Sequence, residues 1–159
     1  MMTTVPFVIL LAATAMDGLL AGASLDQSIK QLPARHRIGL VAFSAYSRAG
    51  DLGNGILWYA ILGIGAALLT IIAAVITVVA GMPFAQSLPV LVAAILSVLH
   101  SLITTQAAPT NFSQRKVAND EAALTAVFNR FERLQTLRAT LQALTFVAML
   151  WAFFVMYYS

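Results

Sequence analysis

All nine Lys and Arg residues of this chain fall in two stretches, Lys30 to Arg48 and Arg115 to Arg138, and the rest is almost uninterrupted apolar sequence. An ionised side chain is costly in hydrocarbon unless it is paired or reaches water. Charge confined in this way therefore marks a chain that crosses a membrane and keeps its basic segments outside the lipid. Lys and Arg are enriched in the cytoplasmic segments next to membrane spans. Both stretches are thus expected on the cytoplasmic side of the cell (inner) membrane, with both termini and the turn near Pro83 facing outward.

A span needs about 20 mainly apolar residues to cross roughly 30 Å of hydrocarbon. Four segments qualify: 5–25, 52–80, 87–107 and 138–158. The expected fold is an all-α integral membrane four-helix bundle forming one domain over 1–159, with neither an internal repeat nor a low-complexity linker. The hydrophobic share of 60% against 9% charged residues is too apolar for a soluble domain and supports the same class. The formal charge of +3 points to membrane lipid headgroups rather than nucleic acid, because no nucleic-acid-binding module accompanies it. Cysteine is absent, which removes disulfides, thiolate nucleophiles and cysteine-ligated clusters. The first apolar run and Ala21-Gly22-Ala23 are compatible with a signal peptide, but the basic residues that normally precede such a run are missing. It is expected to remain as a span.

The connection between the first two spans holds Pro33 and Arg35-His36-Arg37, then Val41, Phe43 and Tyr46 among small and polar residues. That second part is compatible with a short interfacial helix or a cytoplasmic cap. In the second basic stretch Asn119 can cap a helix whose first turn carries Asp120 and Glu121, favourable at the positive end of the helix dipole. Leu124, Val127, Phe128, Phe131 and Leu134 follow at helical spacing, and no breaker separates them from the last span. One long helix from about Asn119 to Tyr157 is expected, its first half a cytoplasmic amphipathic extension.

Ionisable groups well inside the spans are Asp17 and His100. Asp17 lies eight residues before Leu25 and His100 seven before Ala107, the cytoplasmic ends of their spans. At about 1.5 Å per residue both sit roughly 10–12 Å from that boundary. Their common depth predicts that they approach within hydrogen-bond reach, directly or through one water. Thr14 and Ser24 share a face with Asp17, and Ser97 and Thr104 with His100; Asp51, Asn54 and Trp58 align on the second span beside Tyr59, and Gln135, Arg138, Gln142 and Thr145 form a row on the fourth. These stripes occupy the cytoplasmic halves of the spans and predict a polar pocket sealed toward the outside.

The Asp17–His100 pair admits two readings. In one it is a structural bond fixing the first and third helices; in the other His100 is a general base that Asp17 orients. A metal centre is disfavoured because only two histidines exist and His36 lies in a basic loop. Asp51 and Arg138 are expected as an ion pair at the boundary, with Arg138 also able to hold an anionic group. Tyr59, Trp58 and Trp151 read first as packing or interfacial residues. Gly18 and Gly22 permit close helix contact without identifying a partner.

Leu102-Ile-Thr-Thr-Gln-Ala-Ala-Pro109-Thr110-Asn111 and Phe128-Asn-Arg-Phe131-Glu-Arg-Leu134-Gln135-Thr-Leu-Arg138 resemble the anthrone oxygenase-like family of small four-helix membrane proteins. In that family the third span typically ends in Pro-x-Asn, and an amphipathic helix carries an aromatic-x-x-Leu-His-x-x-Arg pattern into the fourth span. Pro109, Asn111, Phe131, Leu134 and Arg138 match those positions. Gln135 stands where a histidine is common, and Leu25-Asp26-Gln27 replaces a Glu-His-Pro-like sequence. These departures remove acid–base or metal-binding groups. The resemblance implies oxidation of an activated carbon in a small, flat, hydrophobic aromatic ligand by molecular oxygen, with no cofactor. His100 and Asp17 would then be catalytic, and Tyr59, Trp58, Asn54, Asn111, Arg138, Gln142 and Thr145 would contact substrate. Two other classes compete. One is a proton-coupled small-molecule exporter, which an acidic residue in the first span fits and the charge asymmetry opposes. The other is a non-enzymatic subunit or scaffold, in a homo-oligomer or with a membrane protein partner, whose Phe128, Phe131 and Leu134 would stay exposed instead of packing on the region of Val41, Phe43 and Tyr46.

Overall fold

The computed structural model describes residues 4–157, and among the described residues every regular element is helical. Met1 to Thr3, Tyr158 and Ser159 lie outside them, and so do the expected end of the last span at Tyr158 and the expected placement of the two termini. Four helices are long and apolar enough to cross a membrane. A spanning backbone must satisfy its own N–H and C=O groups, which an uninterrupted helix does by itself.

Helix α1 (Thr4–Asp26) continues through one π turn, Gln27–Gln31, into α2 (Leu32–Ile38). Pro33 falls in the first turn of α2. Proline cannot donate to the preceding turn, and the wider π turn just upstream admits its ring without ending the helix. Gly39, at φ 85° and ψ 153°, ends this helix in a conformation that a side chain would disfavour. Helix α3 (Leu40–Ala49) then leads through a second π turn, Gly50–Asn54, into α4 (Gly55–Val79). The join is kinked at Gly53, where φ is −98° and ψ −112°. The long connection expected between the first two spans is thus almost wholly helical.

After the turn at Gly81, helix α5 runs from Phe84 to Ser113. The span does not stop at the Pro-x-Asn element: Pro109 is inside the helix, and Asn111 lies two residues further along it. Helix α6 runs unbroken from Glu121 to Tyr157. At 1.5 Å per residue it is about 55 Å long, more than the roughly 30 Å that crossing the hydrocarbon requires. The cap is Asp120 and not Asn119: the Asp120 carboxylate accepts the Ala123 N–H at 3.0 Å.

The long helices form a ring in which α1 packs on α4, α4 on α5, α5 on α6 and α6 on α1. Consequently α1 and α5 stand on one diagonal and α4 and α6 on the other. At one end the interior is filled by Leu10, Ala13, Ala74, Val90, Met149 and Ala152. Small residues let the backbones approach closely where no solvent drives helices together. Leu20, Leu62 and Ala66 form a middle layer. At the other end Leu32 of α2 and Phe43 of α3 pack with Leu124, Phe128 and Phe131 of α6. The Phe43 and Phe128 rings meet edge-to-face at 5.0 Å. Arg35, with only 2% of its side chain accessible, bonds Glu132 at 2.6 Å and ties α2 to the same stretch of α6. The apolar face of the amphipathic extension is therefore covered by the chain itself, on Phe43, while Val41 and Tyr46 remain exposed.

Candidate functional site

A cavity of about 500 Å³ lies in the half of the bundle nearer the basic segments, between α4, α5 and α6. Its origin is legible in α4, which presents Ala60, Gly63 and Ala67 to the cavity at spacings of three and four residues. A Cβ placed on Gly63 would meet nothing within 4 Å, so the missing side chain leaves open space. Ile64 and Leu68 also line the cavity while being 62% and 55% exposed. The cavity thus opens sideways between α4 and α5 onto the apolar outer surface. Its size is typical of small-molecule sites.

The polar lining is sparse and converges from all sides: His100, Ser101, Thr104 and Asn111 on α5, Gln135 and Arg138 on α6, Tyr59 on α4, Ser24 near the end of α1, Gln27 in the π turn that follows it, and Asp51 in the π turn before α4. Two of these groups have buried nitrogen atoms without a hydrogen-bond partner, Nε2 of His100 and Nε of Arg138. His100 is 97% buried by its 3% relative exposure. Arg138 donates from Nη1 to Gln135 Oε1 at 2.9 Å, and Gln135 is held in turn by the Ser24 carbonyl, to which its amide donates at 3.2 Å. Asn111 accepts from the Gln114 amide at 2.7 Å, and Gln114 also donates to Ser47 and accepts from Ser44. That buried network fixes the cavity floor to α3.

The expected Asp17–His100 hydrogen bond is not formed. Asp17 is fully buried, accepting from Thr70 Oγ1 at 2.7 Å and from Gln142 Nε2 at 2.9 Å. Thr70 is on α4 and Gln142 on α6, the two helices next to α1, whereas His100 is on the diagonal helix. A shared depth in the sequence does not make two helices neighbours. Asp17 accordingly does not line the cavity, and His100 does.

The other expected contacts divide in the same way. Tyr59, Asn111 and Arg138 line the cavity. Gln142 is committed to Asp17, and Thr145 is buried and donates to the Leu141 carbonyl at 2.9 Å. Trp58, 53% exposed, and Asn54, also exposed, point away from it. Nor do Asp51 and Arg138 pair: Asp51 accepts from Ser47 at 3.0 Å, and no ion pair joins it to Arg138. Sequence reasoning missed the Ala60-Gly63-Ala67 stripe and Ser101, although the stripe carried a signal in its small residues at helical spacing. Among the described residues no three His, Asp or Glu side chains converge as a metal site would require.

The geometry defines a four-helix protein of membrane-spanning composition with a side-opening apolar cavity and a few inward polar groups. No family model, curated protein or solved structure matches the chain.

Proposed function

We propose that this protein resides in the cell membrane and binds a flat, hydrophobic aromatic molecule in the cavity between α4, α5 and α6. The observation that carries the reading is a laterally open apolar cavity of about 500 Å³ with the unpartnered Nε2 of buried His100 on its wall. Buried polar atoms in native proteins are nearly always satisfied, and exceptions concentrate where a ligand or a reaction supplies the partner. A molecule that partitions into the bilayer reaches this wall through the gap beside Ile64 and Leu68 without passing through water.

The chemistry that fits is the oxygen-dependent oxidation implied by the resemblance to anthrone oxygenase-like proteins. Nε2 of His100 takes a proton from an acidic methylene carbon, leaving a carbanion conjugated with the ring system. Molecular oxygen adds to that carbon, the proton returns to give a hydroperoxide, and loss of water leaves a ketone; the methylene carbon is oxidised and oxygen is reduced. Arg138 and Tyr59 are the groups on the wall suited to the developing oxyanion. Asp17 takes no part, being held in the bundle by Thr70 and Gln142. The same bonds argue against the exporter reading, in which Asp17 would need access to a transported proton. The coverage of Phe128 and Phe131 by Phe43 argues against the scaffold reading.

The test is binding and turnover of an anthrone-like compound by the purified protein in nanodiscs, followed by ligand fluorescence and an oxygen electrode. Wild type should bind and consume oxygen, and His100→Gln should bind while turnover falls by about 10²-fold or more. Gly63→Leu should block binding, because its side chain projects into the open space on α4. Wild-type protein that neither retains the ligand nor consumes oxygen, yet copurifies stoichiometrically with another membrane protein, would overturn the proposal.

A further inference from the structure

Arg138 is a cation without a counter-ion in the wall of an apolar cavity. The ion pairs among the described residues are Lys30 with Asp26 and Arg35 with Glu132, so neither engages it. A guanidinium has five N–H donors. One is taken by Gln135 Oε1, a neutral acceptor, and Nε is buried with no acceptor at all. Asp51 lines the same cavity but is bonded to Ser47. A cation in such a place is costly unless something neutralises it. Nε2 of His100, also buried and unpartnered, lines the same cavity from the neighbouring helix.

We infer that Arg138 forms an oxyanion subsite on the cavity wall, so that the ligand is a hydrophobic weak acid whose ionised oxygen is held at Arg138 while its apolar body lies along Ala60, Gly63 and Ala67. The inference rests on the binding reading above and narrows its ligand class. Guanidinium-to-oxyanion bonds are the strong, charge-assisted kind, and a water-poor cavity strengthens them. The Gln135 contact and the Ser24 carbonyl behind it hold the guanidinium in place before a ligand arrives. An aromatic enol or carboxylic acid and a free fatty acid share this chemistry, and a flat and a flexible probe separate them.

The experiment is a fluorescence titration of protein in zwitterionic nanodiscs at pH 8, against empty nanodiscs, with two pairs of probes. The first pair is 9-anthracenecarboxylate and 9-methylanthracene, which share a flat body and differ in charge. The second is cis-parinaric acid and its methyl ester. The expected result is a preference of about tenfold or more for the anthracene acid over its neutral analogue, in line with a charge-assisted pair. Arg138→Gln should remove the preference and leave binding of the neutral probe in place, which also reports that the variant folds; Arg138→Lys should keep most of it. Equal wild-type affinity for the anthracene acid and its neutral analogue overturns the subsite and leaves the aromatic cavity standing, whether or not the variant folds. Preference for parinaric acid over its ester, with neither anthracene bound, supports the subsite, makes its ligand a lipid acid and overturns the aromatic reading. Binding of none of the four overturns both.

Discussion

The separation of Asp17 from His100 can be measured directly by double-mutant cycles. Asp17 holds two hydrogen bonds, from Thr70 at 2.7 Å and Gln142 at 2.9 Å, and Gln142 also reaches the Asp17 carbonyl at 3.3 Å. In soluble proteins a hydrogen bond to a charged group contributes about 1.5–3 kcal/mol. Interhelical bonds in membranes average about 0.6 and reach about 1.7 kcal/mol, because the unfolded helices find other partners. Asp17 has no exposed surface from which water could substitute for a lost donor, so the upper part of the membrane range applies. Asp17→Leu and Gln142→Leu should each destabilise the bundle, with a coupling energy of about 1–2 kcal/mol between them. Asp17→Leu and His100→Leu share no partner and sit on diagonal helices, so their effects should add within about 0.5 kcal/mol. The assay is equilibrium unfolding in mixed dodecylmaltoside and dodecyl sulfate micelles, followed by circular dichroism. Asp17→Leu should also leave ligand binding nearly intact at temperatures where it remains folded. Coupling above about 1 kcal/mol between Asp17 and His100, or none between Asp17 and Gln142, would refute the diagonal arrangement.

Gly18→Ala should destabilise by about 1 kcal/mol or more, because its Cβ would lie 2.9 Å from the Phe146 ring, whereas Gly22→Ala, with nothing within 4 Å, should stay within about 0.5 kcal/mol of wild type. The same unfolding assay reads both, and equal effects would contradict the packing. Glu132→Gln should lower stability by about 1–3 kcal/mol, because Arg35 is almost fully buried beside it, and should raise proteolytic cleavage around Gly39 as α2 loosens from α6. Single cysteines at Ser28 and Ser113 should resist an impermeant thiol reagent in intact cells and label after permeabilisation, as expected if both basic stretches are cytoplasmic. Labelling in intact cells would reverse the orientation.

The sequence by itself determined the helical class, the four apolar segments and the long last helix. Lipid permits few ways to satisfy a backbone, and charge placement along the chain is a one-dimensional property. Rise per residue also converts position along a helix into height, which is all that the sequence offers for grouping residues on different spans. Only the tertiary structure decided which residues at one height meet, because that depends on the order of helices around the ring. With α1 diagonal to α5, Asp17 turns to Thr70 and Gln142, and His100 is left facing a cavity. The cavity is likewise a property of the assembled bundle: the small residues Ala60, Gly63 and Ala67 recur at helical spacing in the sequence, but they become a cavity wall only once α5 and α6 stand around them. Arg138 remained without its expected partner because Asp51, in the π turn that is kinked at Gly53, accepts from Ser47 instead.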